Sequence, residues 1–287
     1  MAKGQIKEGV AKAFFVVAAG VSILAVALIC VFLFANGVPA MAQIGLPDFL
    51  FGTTWRPSND IYGIFPMIIG SIYVTAGAMI VGVPAGILCA IFLSRFANTR
   101  VARIFKPGVE LLAGIPSVIY GFFGLVIIVP FIRNTAHQGN GMSLLAAAII
   151  LGIMILPTII TVAQSALDAV PQKYYEGALA LGADHERSVF RVLVPAAASG
   201  IVTAVVLGVG RAIGETMAVI MIAGNNPVIP ESIFAGVRTM TANIVLEMGY
   251  AADLHRGALI ATGVVLFVFI LLITLLLNVI KRRGEVK

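Results

Sequence analysis

The architecture of this chain follows from one stretch, Gly200-Ile-Val-Thr-Ala-Val-Val-Leu-Gly-Val-Gly-Arg-Ala-Ile-Gly-Glu-Thr-Met-Ala-Val-Ile-Met-Ile222. It is long and apolar enough to cross a bilayer, for which a helix needs about 20 residues. Arg211 and Glu215 lie near its middle, where an ionised side chain costs about 3 kcal/mol or more. Their i, i+4 spacing predicts that both side chains share one helical face. The pair is either an ion pair that only fixes helix packing or a substrate site on a transport path.

Small residues extend this face. Gly200, Ala204 and Gly208 continue the stripe that leads to Arg211, and Gly210 and Gly214 form a GxxxG step beside it. Small residues let a neighbouring membrane helix approach closely. We therefore expect this helix to be packed tightly against others.

The composition places the whole chain in the membrane. Of its 287 residues 60% are hydrophobic and 11% are charged, with a mean hydropathy of +1.05, whereas soluble domains are about 25% charged. The net charge of +6 does not indicate nucleic-acid binding, because the basic residues are scattered over short segments. Cys30 and Cys89 lie inside apolar runs, so a disulfide framework is not expected.

The hydropathy pattern predicts six membrane helices. The first run could be a signal peptide, since Ala40-Met-Ala42 resembles a cleavage site, but the run is too long for a typical signal core. We therefore interpret it as the first membrane helix. The predicted spans cover about residues 13–35, 66–93, 109–132, 143–166, 196–222 and 258–280.

The distribution of Lys and Arg predicts the orientation. Fourteen of them lie in the N-terminal segment, in residues 94–108 and 170–195, and in the C-terminal tail; the intervening segments hold only Arg56, Arg133, Arg238 and Arg256. Because cytoplasmic loops carry the excess of basic residues, we expect both termini in the cytoplasm.

Residues 170–195 predict a cytoplasmic helix–turn–helix, which we call the elbow. Pro171 can begin a helix and Gly182 can end it, and a second short helix is expected over 184–192. The elbow either lies flat on lipid as an interfacial helix or docks into a groove of a cytoplasmic partner.

The predicted third span contains Gly114-Ile-Pro-Ser-Val-Ile-Tyr120. Its proline interrupts the helical hydrogen bonds near Ser117 and Tyr120. This is either an ordinary kink or a device that exposes polar groups to a path.

The elbow resembles a sequence motif of a known protein family. Glu176-Gly177-Ala178, followed by Gly182 and then by Val194-Pro195, resembles the E-A-A…G…L-P coupling motif of bacterial ABC importer permeases. Gly177 replaces the first alanine of that motif, and Val194 replaces its leucine.

Three further motifs narrow the resemblance to phosphate importer permeases, over about residues 55–280. The ending Met217-Ala-Val219 and the following Gly224-Asn225 resemble the PstC type rather than the PstA type. The three motifs are Leu112-Ala-Gly-Ile-Pro-Ser-Val-Ile-Tyr-Gly-Phe-Phe-Gly124, Ile153-Met-Ile-Leu-Pro157 and Gly210-Arg-Ala-Ile-Gly-Glu-Thr-Met-Ala-Val219.

The resemblance implies an all-α integral membrane protein with the type I ABC importer permease fold. It implies an N-terminal tail, first helix and external loop in residues 1–60, a permease core in 61–280 and a basic cytoplasmic tail in 281–287. The expected location is the bacterial cytoplasmic membrane.

The resemblance also implies partners. They are a PstA-type permease as heterodimer, two copies of a PstB-type ATPase and an extracytoplasmic PstS-type phosphate-binding protein. ATP and Mg would be bound by the ATPase, because this sequence has no G-x-x-x-x-G-K-[ST] phosphate loop.

The site residues follow from the same motifs. No catalytic or metal-binding residue is expected in this chain. The expected substrate path is formed by Arg211, Glu215, Thr216, Ser117 and Tyr120, and the expected coupling site by Glu176, Gly177, Ala178, Gly182 and Pro195.

Alternatives of other classes remain. A self-powered carrier or channel would explain the spans and the charged pair, but it would not explain the elbow. A membrane-embedded enzyme is disfavoured because the spans contain no Ser/His/Asp set or facing carboxylates. Within the permease class, the cargo could be another oxyanion.

Overall fold

The computed structural model describes residues 2–136 and 139–285, and it describes side-chain surroundings for 11–136 and 139–279. The described residues form helices and one small antiparallel hairpin, β1 (Trp55–Arg56) and β2 (Ile61–Tyr62). The helices are α1 (Ala2–Ile44), α2 (Leu46–Phe51), α3 (Phe65–Ile91), α4 (Thr99–Gly114), α5 (Ser117–Phe123), α6 (Val129–Ala136), α7 (Leu144–Asp168), α8 (Gln172–Ala180), α9 (His185–Ser188), α10 (Val194–Ala196), α11 (Ala198–Gly214), α12 (Met217–Ile222), α13 (Met240–Glu247) and α14 (Asp253–Glu285).

The predicted all-α membrane architecture is confirmed. One candidate span consists of α11 together with the helical segment His185–Ala196, and the two parts meet at a bend of 69°. The five other described segments that are long and apolar enough to cross a membrane are Ala11–Ile44, Phe65–Phe96, Ser117–Ala136, Leu144–Asp168 and Asp253–Val279.

The third span begins later than predicted. Helix α4 ends at Gly114, Ile115 is extended (φ −72°, ψ 126°), and α5 begins at Ser117. Proline disfavours the helical conformation of the residue before it, so Pro116 separates α4 from the span. The predicted start near residue 109 is therefore wrong, since residues 109–114 belong to α4.

The centre of the molecule is the packing of α7 against α3 on one side and α11 on the other. Ile155 and Ile159 of α7 are fully buried. A Cβ at Gly200 would collide with Ala166, and one at Gly208 would lie 3.0 Å from Ile159. The predicted close approach along this stripe is confirmed, and α7 is the helix that approaches.

A second core lies between α1 and α14. It includes Ala40, Ala261 and Val264, and it continues into Trp55 and Tyr62 of the hairpin. Helix α13 closes this end of the molecule, because the Met240 backbone N–H donates to Ser71 Oγ of α3 at 3.0 Å. The long, semi-apolar segment 223–257 therefore contains a short, packed helix.

The two ends of the elbow agree with the sequence prediction. Pro171 precedes α8, and Gly182 after it has φ +85°. The N–H groups of Gly182 and Ala183 donate to the carbonyls of Leu179 (2.9 Å) and Ala178 (3.1 Å), which is a Schellman ending. The second helix starts at the Asp184 cap, as α9, and reaches α10 through a π-helical turn, Val189–Leu193.

Candidate substrate path and coupling site

The stretch that carries Arg211 and Glu215 is not one helix. Helix α11 ends at Gly214, Glu215 is extended (φ −67°, ψ 136°), and α12 starts at Met217. The prediction that both side chains share a helical face is therefore wrong, because helical periodicity stops between them. No Arg211–Glu215 ion pair is found among the described side chains.

Arg211 lies in the last turn of α11 and is half-buried. Among the described residues its one hydrogen bond is a long one, 3.4 Å from Nη1 to Thr158 Oγ1 of α7. A guanidinium offers five donors in a planar fork, so most of its hydrogen-bonding capacity remains for a ligand. Sequence reasoning missed Thr158, although it directly follows Pro157 of a quoted motif.

Glu215 stabilises the break instead of pairing with Arg211. Its Oε1 accepts a hydrogen bond from the Ala218 N–H at 3.2 Å, and its backbone carbonyl accepts one from Thr241 Oγ1 at 2.9 Å. The hydroxyl of Thr216 donates to the Gly214 carbonyl at 3.2 Å. The carboxylate therefore caps the start of α12, and its other oxygen makes no hydrogen bond to a described residue.

Ser117 and Tyr120 lie at the second break. Ser117 is half-buried at the start of α5, and no described residue hydrogen-bonds its hydroxyl. The buried Tyr120 donates to the Leu112 carbonyl at 2.8 Å across the break. Pro116 therefore separates two helices instead of kinking one. The Tyr120 hydroxyl donates to the Leu112 carbonyl, for which Pro116 has no N–H to offer.

The two breaks are neighbours. A Cβ at Gly121 of α5 would lie 2.9 Å from the Ala218 Cα and 2.8 Å from Met221 Sδ of α12. The structure thus brings the broken backbone of both helices into one region, with Glu215 and Thr216 in the second break and Arg211 in the last turn before it.

The predicted coupling residues lie on the exposed side of the elbow. Glu176 and Gly177 are exposed on α8, Ala178 is half-buried, and Gly182 is exposed after the helix. Pro195 lies apart from them in sequence, exposed in α10. At the tip of the elbow Leu181 is 91% exposed.

A polar cluster at the end capped by α13 was missed by sequence reasoning. The carboxylate of Glu247, a 6% exposed residue, accepts hydrogen bonds from Trp55 Nε1 (2.9 Å) and Arg238 Nη1 (2.6 Å), and it lies 2.9 Å from His255 Nε2. Arg238 and His255 lie 9 and 8 residues from Glu247, but Trp55 lies 192 residues away, so spacing could not reveal that contact. The only sign of this cluster in the sequence was that the semi-apolar segment 223–257 contains several charged residues.

An open cavity of about 600 Å³ adjoins this cluster. Burial, together with the hydrogen bond to Asp60 and the charge of Asp60, raises the pKa of Tyr62 in its wall to about 12. Tyr62 therefore stays a neutral hydrogen-bonding group at every physiological pH.

The arrangement around Arg211 suits binding rather than bond-making. It offers a cation with free donors, backbone at two breaks, and a carboxylate oxygen that can only accept when ionised. Non-helical backbone is tolerated at membrane depth where it is buried in protein or lines a cavity. Such a region can recognise an oxyanion on its way through the membrane.

The sequence is similar to known membrane transport proteins. A family model described as "Binding-protein-dependent transport system inner membrane component" matches residues 82–285. The probable ABC transporter permease protein YqgH of Bacillus subtilis is 40% identical over 272 residues, 93% of this chain and 88% of that protein. The phosphate transport system permease protein PstC of Mesorhizobium japonicum is 36% identical over 265 residues, 85% and 81% of the two chains.

Solved structures share the fold. A bacterial ABC transporter involved in the import of the acidic polysaccharide alginate gives a TM-score of 0.60 at 15% identity, over 91% of this chain and 94% of that one. An inward-facing MetNI methionine ABC transporter gives 0.56 at 23% identity, over 77% and 94%. Since the family model covers most of the sequence, this chain belongs to the inner membrane components of binding-protein-dependent transport systems.

Proposed function

We propose that this chain is a permease subunit of an ATP-driven importer that carries inorganic phosphate across the bacterial cytoplasmic membrane. The observation that carries the proposal is the Arg211 guanidinium, which is half-buried in the last turn before a helix break and has no carboxylate partner among the described residues. A planar, permanently charged fork matches the oxygens of a phosphate. Relatives that are named phosphate transport permeases support phosphate over other oxyanions.

The proposed path runs past Arg211, Glu215, Thr216, Ser117 and Tyr120, within a permease core of residues 61–280. The basic residues 281–287 form its cytoplasmic tail; their side chains lie outside the described residues. Gly210 and Gly214 support a second permease chain as partner, because a Cβ at either position would meet nothing within 4 Å. We infer a heterodimer with a PstA-type chain, with the path at the interface.

The remaining partners follow from the elbow and from the family. Two PstB-type ATPase subunits bind ATP and Mg, and one of them receives the elbow through Glu176, Gly177, Ala178, Gly182 and Pro195. A PstS-type protein delivers phosphate to the other side of the membrane. In this arrangement the PstB-type subunits, and not this chain, hydrolyse ATP.

One experiment tests the function and the assembly together. The chain is co-purified with its neighbours and reconstituted in vesicles, and ATP hydrolysis and phosphate uptake are measured with and without phosphate-loaded binding protein. We expect both activities to rise with the loaded protein. Uptake without ATPase subunits would identify a self-powered carrier, stimulation by another oxyanion alone would change the cargo, and transport by this permease alone would refute the heterodimer.

The orientation is tested by labelling in intact cells. In a background with Cys30 and Cys89 replaced by alanine, Arg56→Cys and Glu231→Cys should react with a membrane-impermeant maleimide, since both positions are exposed and predicted outside. Arg100→Cys and Leu181→Cys are equally exposed and should react only after permeabilisation. Labelling of position 181 in intact cells would contradict both the orientation and the coupling site.

Glu215→Gln tests anion selectivity. The amide keeps an oxygen that can cap α12, so the break should persist, but the amide can also donate a hydrogen bond. Phosphate near neutral pH still carries a proton for a carboxylate to accept, whereas sulfate carries none. We expect the variant to retain part of its phosphate uptake and to import sulfate, in a competition assay with both labelled anions.

Glu231→Gln, the same change at an exposed loop position, is the matched control and should transport like the wild type. Loss of both anions in Glu215→Gln would contradict the selectivity role. It would leave Glu215 with its observed role, in which the carboxylate caps α12 and stabilises the break.

A further inference from the structure

Helix α8 is attached to the rest of the chain by few side-chain contacts. Most of the helix is exposed. Among the described residues its side chains make one hydrogen bond, 2.8 Å between the Tyr175 hydroxyl and His185 Nδ1. The two rings also meet edge to face, with centroids 5.7 Å apart. A displacement of α8 would therefore act directly on His185.

His185 connects this helix to the second membrane span. Its ring stands edge-on to Phe96, with centroids 4.8 Å apart, and Phe96 also contacts Phe190 at 6.1 Å. Phe96 is the last residue of the π-helical turn Phe92–Phe96, which extends α3. One imidazole thus touches both the coupling helix and the end of a membrane helix.

The end of the second span is in turn tied to the end of the fourth. Ser94 Oγ donates to Asp168 Oδ1 at 2.5 Å, and Arg95 Nη2 donates to the Leu167 carbonyl at 2.5 Å. Leu167 and Asp168 end α7, the helix whose Thr158 contacts Arg211. A continuous set of contacts therefore runs from α8 to the candidate substrate site.

We propose that His185 is a positioning residue for energy coupling, which holds Tyr175 of α8 on one side and Phe96 of the second span on the other. The proposal rests on the proposed function, because coupling requires an ATPase that moves α8. Its role is to make the second and fourth spans follow the elbow when the ATPase subunits open and close.

Tyr175→Phe and His185→Phe test the hydrogen bond with little loss of packing. Both variants keep an aromatic ring, and each removes one partner of the 2.8 Å contact. We expect the phosphate imported per ATP hydrolysed to fall about fivefold in either variant, the factor that corresponds to one neutral hydrogen bond. The double variant should fall no further than the singles, because both changes remove the same contact.

Two additional variants complete the test. His185→Asn keeps an acceptor close to Nδ1 and should recover part of the ratio relative to His185→Phe. Tyr174→Phe, on the same helix, removes a hydroxyl that makes no hydrogen bond to a described residue. This variant should leave the ratio unchanged. The amount of co-purified ATPase is measured in parallel, since it must stay constant if only positioning is affected.

An unchanged ratio in both single variants, or additive losses in the double variant, would overturn the role of His185 while the wild type still couples. Proportional loss of uptake, ATP hydrolysis and co-purified ATPase would overturn it in favour of a merely structural contact. A wild-type complex that imports nothing in response to ATP would instead refute the proposed function, and the role of His185 with it.

Discussion

Arg211→Gln should abolish phosphate uptake while the variant still inserts and assembles. Glutamine is polar but shorter than arginine, and it removes the charge and most of the donors. Loss of one partner from a buried, hydrogen-bonded charge pair costs about 2–5 kcal/mol, which is a factor of about 30 or more in affinity. The measurement is initial phosphate uptake in vesicles with equal amounts of complex.

Folding should survive this change, because Arg211 stabilises little within the chain. Its hydrogen bond to Thr158 is 3.4 Å long, and no described carboxylate depends on it for charge balance. The half-buried position also makes a neutral side chain easier to accommodate than the guanidinium. Assembly is checked by co-purification of the partner subunits.

Two matched variants separate the charge from its surroundings. Arg211→Lys retains a positive charge without the planar fork, so we expect intermediate uptake. Thr158→Val removes the hydroxyl that orients the guanidinium and should lower uptake only a few-fold, in line with one hydrogen bond. Normal uptake by Arg211→Gln would make this arginine a packing residue and would remove the main support for an oxyanion path.

The sequence was informative where local chemistry determines the backbone. Pro116 restricts the residue before it, and Gly182 can adopt a positive φ; the structure has a break at the first and a helix ending at the second. The small residues Gly200 and Gly208 predicted a close helix neighbour, and α7 lies there. Each of these effects depends on one residue and its immediate neighbours.

The break at Glu215 could not be predicted in the same way. No proline interrupts this stretch, and its hydropathy is that of a continuous span. The break is stabilised by tertiary contact, since Thr241, far along the chain, donates to the carbonyl that the helix has released. Hydropathy and periodicity report composition along one segment, so they cannot detect a hydrogen bond supplied by another.

The candidate site was therefore only half predictable. The motifs identified Arg211, Tyr120 and Glu215 as residues of interest, but the assumed i, i+4 geometry placed Arg211 and Glu215 on one helical face, whereas the helix ends between them. The Glu247 cluster shows the same limit, because Trp55, Arg238 and His255 meet only after the chain has folded.

Gly182→Leu should abolish ATP-driven uptake with the protein still inserted in the membrane. Gly182 has φ +85° in the Schellman ending of α8, a conformation that costs a residue with a Cβ about 1–2 kcal/mol. A Cβ there would meet nothing within 4 Å in this chain, so the fold itself has room for leucine. The new side chain would project next to the exposed Leu181, into the surface that the ATPase is proposed to cover.

Strain and bulk at this position can be separated by two controls. Gly182→Asn has a side chain that tolerates the left-handed conformation, and Gly182→Ala introduces the strain without the bulk. We expect uptake to rank Gly, then Asn, then Ala, with Leu near zero, while the amount of inserted protein stays constant. If Leu and Ala were equally impaired, backbone strain would account for the defect. If Gly182→Leu coupled normally, the elbow would not enter a groove, and an interfacial helix lying on the lipid would explain its sequence better.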